Sequence, residues 1–195
     1  MKTVFCIALL SFSIKMFAQN ITTVTPQEQA FYDKAMPAIK KEYKNLVLQT
    51  AGQLKGRNIN SDSLIRMMKG NKILGDLNDG DIEGLVFLVL MEASKSAQDD
   101  LKTVMGQTKA INKSKESLRN LNQPIVVTKK DSSMKLIRNK QLVVQTKKDS
   151  LNEMDQTTQL RLQMTMDRRN KIMTSLSNIM KKISDTQDQI IHNLK

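Results

Sequence analysis

From Thr25 onward the apolar residues of this chain recur at helical spacing rather than in the alternation of a strand. Phe31, Ala35, Ile39, Tyr43, Leu46 and Leu54 share one face of a helix that starts at Thr25. Thr25 has the side-chain oxygen an N-cap needs, Pro26 suits the first helical position, and Glu28 completes a capping box. Pro37 lacks the amide that would close one turn, so it is expected to kink this helix or split it in two. Gly56 ends it, Arg57 to Ser61 reads as a loop, and a short helix around Ser63 to Lys69 closes on Gly70.

Gly75 to Gly84 is turn-rich and acidic, and a long helix rises from it, from about Ile82 to Asn122, with Asn78 or Asp81 as its cap. Its opening, Leu85 to Met91, is continuously apolar and predicts burial on most sides. Beyond it a stripe at Phe87, Leu90, Ala97, Leu101, Val104, Ile111 and Leu118 alternates gaps of four and three, with Ser94, Thr108 and Lys115 as weak slots. That is coiled-coil spacing. Pro124 stops the helix, and Ile125-Val126-Val127 is compatible with an extended stretch. From Asp131 the pattern is helical to the end, with a seam at Leu162, Met166, Met173, Leu176, Met180, Ile183, Ile190 and Leu194, interrupted by Arg169 and Gln187. No lone helix of that length is stable in water without a partner face, so the two long helices are expected to fold back on each other. The fold class is all-α: a long antiparallel coiled-coil hairpin over 81–195, with a smaller N-terminal helical part over 19–80.

Residues 1–18 read as a signal peptide. Lys2 supplies a positive start, Val4 to Phe12 an apolar stretch, and Ala18 a small residue before the expected cut. Export to the periplasm or beyond is the expectation. The single cysteine, Cys6, lies in that leader, so the mature chain has no disulfide and must rely on packing. No second apolar run approaches membrane-spanning length, so no transmembrane segment is expected in the mature chain.

The net charge of +12 is unevenly placed. Residues 19–100 carry ten Lys/Arg against eleven Asp/Glu, whereas residues 101–195 carry nineteen against eight. The surplus concentrates in a basic segment over 113–150: Lys113, Lys115, Arg119, Lys129, Lys130, Lys135, Arg138, Lys140, Lys147 and Lys148, with only Glu116 and Asp131 opposing them up to Lys148. These ten are the candidate anion- or partner-binding residues, because such a field attracts lipid headgroups or acidic proteins. Nucleic acid is a poor fit, since no aromatic residue follows Phe87 to stack on a base. Within the segment Thr128-Lys129-Lys130-Asp131-Ser132 recurs as Thr146-Lys147-Lys148-Asp149-Ser150, and the extended copies align Leu142 with Leu160. The offset of eighteen residues is five helical turns, so both copies present one face.

The chemistry for catalysis is thin. The single histidine, His192, lies in the penultimate turn, where a frayed helix end is a poor place for the base of a nucleophilic triad, and one histidine with no mature cysteine cannot make a His/Cys zinc site. No glycine-rich phosphate loop occurs. Asp76 to Glu83 resembles a calcium loop but puts Gly80, Asp81 and Phe87 at its fifth, sixth and twelfth positions, where the motif needs an oxygen ligand, Gly and Glu. No enzyme activity, metal or cofactor is expected. The methionines Met164, Met166, Met173 and Met180 are placed on the C-terminal seam.

Leu85-Val86-Phe87-Leu88-Val89-Leu90-Met91 running into Ala97-Gln98-Asp99-Asp100-Leu101, and Ser177-Asn178-Ile179-Met180-Lys181-Lys182-Ile183 to the end, resemble the helical filament and tip proteins of type III secretion systems. The resemblance implies two helices in a coiled coil with a variable segment between them, and self-assembly at the cell surface. Members of that family leave the cell without a cleaved leader, so residues 1–18 depart from their pattern. The expected function is an exported, non-enzymatic coiled-coil component of an envelope or extracellular assembly that works through a protein partner or self-association. The alternatives are a periplasmic holdase chaperone with a basic arm and a peripheral binder of anionic membrane surfaces.

Overall fold

The computed structural model describes residues 23–57, 60–121 and 131–195. Among these residues six α-helices follow one another: α1 Pro26–Ala38, α2 Lys41–Gln53, α3 Ser61–Lys69, α4 Asp79–Leu121, α5 Asp131–Ile183 and α6 Gln187–Leu194. A single 3-10 turn, Lys72–Leu74, precedes α4, and the described residues contain no strand. The fold is all-α, and α4 and α5 pack on each other as the hairpin the periodicity predicts. By compactness the chain divides at 96/97 and 167/168. The N-terminal helices therefore belong with the root of α4 and the end of α5, whereas chain order alone separates them at residue 80. Residues 97–167 form the second unit.

In the first unit the capping box at Thr25 forms as its residue types require. The Glu28 amide donates to Thr25 Oγ1 at 3.2 Å and the Thr25 amide to Glu28 Oε2 at 2.7 Å. Glu28 is nevertheless buried, and its second carboxylate oxygen accepts the Ser177 hydroxyl of α5 at 3.1 Å. A local cap thus also ties α1 to α5. Pro37 stays inside the last turn of α1, and the break falls just after it, with Ile39 and Lys40 in extended conformation. The freed Lys40 amide donates to the Leu194 carbonyl at 2.9 Å, so the end of α6 satisfies the split that Pro37 allows.

Leu85 to Leu90 are fully buried, as their continuous apolarity requires. Phe87 meets Phe31 edge to face, ring centroids 5.0 Å apart. Beside them the Tyr32 hydroxyl donates to Glu92, and the Lys95 ammonium sits 3.8 Å from the centre of the Tyr32 ring. Burial, then the Glu92 hydrogen bond, raises the Tyr32 phenol above its usual 10.0. For Lys95 burial acts downward, but the contacts with Tyr32 and Glu92 outweigh it and raise the ammonium above its usual 10.5. Both values are higher folded than unfolded. Their contribution to stability is therefore complete below about pH 10 and lost as pH rises through the folded values. Denaturant titrations between pH 8 and 12 should show this decline, and Tyr32→Phe should remove the phenol's part of it.

The long C-terminal helix is not continuous to the end of the chain. It stops at Ile183, and a turn follows in which the Thr186 amide donates to the Ile183 carbonyl at 3.1 Å and Gln187 Nε2 to the Ser184 carbonyl at 3.1 Å. The turn redirects the last eight-residue helix so that Ile190, Ile191 and Leu194 enter the core of the first unit. Ile190 and Leu194 thus leave the hairpin seam to which their spacing assigned them. Gly84 makes this docking possible: a Cβ there would lie 2.4 Å from Ile190 Cγ2. Asn78, rather than Asp81, caps α4, accepting the Asp81 amide at 2.9 Å. The buried Asp81 carboxylate instead accepts the Asn193 side-chain amide at 3.1 and 3.2 Å.

The helices of the hairpin run antiparallel. In the first unit Lys182 pairs with Glu83 at 3.4 Å and the Ser94 hydroxyl reaches the Met173 sulfur at 3.3 Å, so one index falls as the other rises. Met173, Leu176, Met180 and Ile183 are buried there with Phe87 and Leu90. The weak slot at Ser94 is buried and satisfied by that sulfur contact. Arg169 is buried too, so the seam continues through it. In the second unit Val104 and Ile111 are buried, while Leu101, Leu118, Leu162 and Met166 are half-buried. Met164 is 71% exposed and lies off the seam, because two residues after Leu162 the helix has turned by about 200°.

Candidate interaction surface

The basic residues are carried by the second unit. Lys113, Lys115 and Arg119 lie on α4, Lys135, Arg138, Lys140, Lys147 and Lys148 on α5, and Lys129 and Lys130 lie outside the described residues. Ile125 to Val127 and the first copy of the repeat up to Lys130 lie outside them as well.

Lys115 differs from its neighbours. Its ammonium meets the Asp155 carboxylate at 2.6 Å, with the two side chains only 19% and 17% exposed. A cation at a seam position needs a partner when the other helix covers it, and Asp155 supplies one from across the hairpin. Lys115 is therefore a registration contact between α4 and α5. Lys115→Ala should cost about 1–3 kcal/mol in stability by leaving a carboxylate unpaired, measured by chemical denaturation. The charge-swapped pair Lys115→Asp/Asp155→Lys should recover part of the loss.

Lys113, Arg119, Lys147 and Lys148 are exposed, and the helix distributes them over two sides. One groove is lined by Leu118, Arg119, Val144, Lys148 and Asn152, with Lys115 at its edge. Another is lined by Ser114, Ser117, Leu118, Lys147, Ser150 and Leu151. Lys147 and Lys148, adjacent in sequence, thus flank opposite sides of Leu118, because successive helical residues diverge by about 100°. In the second groove the Ser114 and Ser117 hydroxyls are spent on the Ala110 and Lys113 carbonyls, each at 3.0 Å. The cations present a diffuse positive field over apolar floors rather than converging on one ligand.

A third groove, toward the root of this unit, is lined by Gln107, Ala110, Ile111, Met154, Thr157, Thr158 and Arg161 among others. Met105, Leu142, Val143, Met154, Leu160 and Met164 all stand more than half exposed in the second unit. Leu142 and Leu160, aligned by the repeat, are among the most exposed, at 68% and 63%. These exposed positions were not singled out by the seam, which ranks residues only by their fit to one stripe. His192 is exposed at the end of α6. Among the described residues no group of His, Cys, Asp and Glu is placed to hold a metal ion, and no helix is long and apolar enough to cross a membrane.

The fold and this surface define an all-α protein built on a long helical hairpin, with a cationic outer segment. No family model, characterised protein or solved structure matches the chain.

Proposed function

We propose that this is an exported, non-enzymatic helical protein that works through its hairpin as an assembly or interaction component of the cell envelope or its exterior, by self-association or by capture of a helical partner. The observation that carries the reading is the second unit: a two-helix arm that has, among its described side chains, few fully buried and six large apolar ones standing more than half in solvent. Two helices alone leave seam edges wet, and a third or fourth helix covers them. The leader at residues 1–18 supports export. Size-exclusion chromatography with light scattering over a concentration series tests self-association, and a mass equal to one chain at high concentration would exclude it.

A second reading, a periplasmic holdase, is favoured by the exposed Met105, Met154 and Met164, since unbranched thioethers adapt to varied apolar partners. It requires that the purified protein suppress aggregation of an unfolded client, and that reversing the charges at Lys129/Lys130 and Lys147/Lys148 weaken the effect.

A further inference from the structure

We propose that a second copy of this chain docks head to tail on the arm, the acidic outer face of α5 in one copy seating on the basic outer face of α4 in the next. The proposal rests on the self-association proposed above and names the surfaces that meet. On α5, Leu142, Asp149, Glu153, Leu160, Met164 and Asp167 fall on one stripe, with the neutral Thr146 and Gln156 between them at gaps of three and four. The stripe lies roughly half a turn from Asp155 and Leu162, which belong to the seam with α4. All six residues are exposed, and Leu142, Leu160 and Met164 stand between 63% and 71% in solvent. Three carboxylates border these apolar side chains, and the stripe contains no Lys or Arg. Asp149 accepts the Gln145 amide at 3.0 Å, which leaves its charge uncompensated.

The opposite side of the arm has the other sign. Lys102, Gly106, Lys109 and Lys113 recur on α4 at gaps of four, three and four, all exposed and roughly half a turn from the buried Val104 and Ile111. Asp99 and Glu116 border this stripe, and Asp99 meets Lys102 at 3.6 Å in an exposed pair of the kind that water weakens.

The register favours a second copy over an unrelated cationic partner. The Lys115–Asp155 pair fixes which residues of the antiparallel α4 and α5 share a level. Equal steps along both helices from that pair put Met164 level with Gly106 and Asp167 next to the level of Lys102. Glu153 falls about four residues, or ~6 Å, from the level of Lys113, within reach of a lysine side chain. Arms set side by side keep these levels, so the charges of the two faces meet with no sliding of one copy along the other. Gly106 fits the same arrangement. Nothing described lies within 4 Å of where its Cβ would be, so no contact within the chain calls for glycine there. Glycine nevertheless weakens a helix interior relative to alanine. The gap it leaves, beside the exposed Met105, accepts the Met164 side chain of a neighbour. Because the faces lie on opposite sides of the arm, each docking leaves one of each kind open, and assembly continues past two copies unless it closes into a ring.

The test is light scattering on the full chain over a concentration series, with circular dichroism on every variant. The wild-type mass should rise beyond two chains. Glu153→Lys/Asp167→Lys reverses the α5 face and Lys109→Glu/Lys113→Glu the α4 face, and each should weaken association about tenfold. An equimolar mixture of the two variants should restore it, because each retains the face that the other lacks. Gly106→Gln should also weaken association while the dilute chain melts at an equal or higher temperature, the reverse of what lost packing within the chain would do. A wild-type mass that stops at two chains would overturn the proposal, as would a mixture that stays at single chains. Undiminished association of both reversed variants would overturn this proposal alone, whereas a wild-type mass of one chain at every concentration would overturn self-association with it.

Discussion

Phe87→Ala should lower the stability of the folded chain by about 3–5 kcal/mol, the range for removing a buried aromatic ring whose cavity cannot fully collapse. Phe87 is wholly buried, sits within the continuous apolar run of α4, and meets Phe31 of α1 edge to face. The substitution therefore removes both the core contact and the ring pair that holds α1 against α4. Urea denaturation followed by far-ultraviolet circular dichroism measures the loss. Phe31→Ala should be less than additive with it, because either change breaks the same pair. An additive result would mean that the two rings contribute separately.

Gly84→Ala should cost about 1–3 kcal/mol, the usual penalty for forcing a methyl group into packed surroundings. In an isolated helix the same change is favourable, since Ala is the better helix former. The sign is reversed here because the new Cβ would fall 2.4 Å from Ile190 Cγ2, an atom fixed by its branch at Cβ. The strain should be relieved by lifting α6 from α4, so the variant should expose its C-terminal helix. Faster amide exchange at residues 187–194, and at Lys40, whose amide donates to the Leu194 carbonyl, is the expected signature. Combining it with Ile190→Ala, which deletes the offending methyl, should yield a double variant less destabilised than the sum of the two. A neutral Gly84→Ala would show that α6 can shift at little cost.

Sequence reasoning and structure part company at identifiable places. The cap at Thr25, the long α4 and the seam at Val104 and Ile111 follow from residue types and spacings within one helix, and they appear where expected. The break before α6 does not follow that way: Ser184 to Thr186 contains neither Gly nor Pro. What favours the turn is the core space left beside Gly84, a residue about a hundred positions earlier. Likewise, the basic residues of the arm are plain from composition, but their roles are not uniform. Lys115 is drawn into an ion pair with Asp155, forty residues away, while Lys147 and Lys148 are sent to different grooves. The repeat reveals that Leu142 and Leu160 share a face, but not that this face is left to solvent.

By itself, the amino-acid sequence determined that the chain is helical, that two of its helices are long and paired, and that positive charge gathers toward the outer part of the pair. Those properties come from capping, periodicity and residue charge, all of which act within a few turns of the chain. The tertiary structure alone decided that the last eight-residue helix turns back onto α4, that Glu28 and Asp81 are buried and satisfied, and which cations remain free of the seam. These outcomes rest on contacts between residues roughly forty to a hundred and fifty positions apart, and only the packed arrangement brings such residues together.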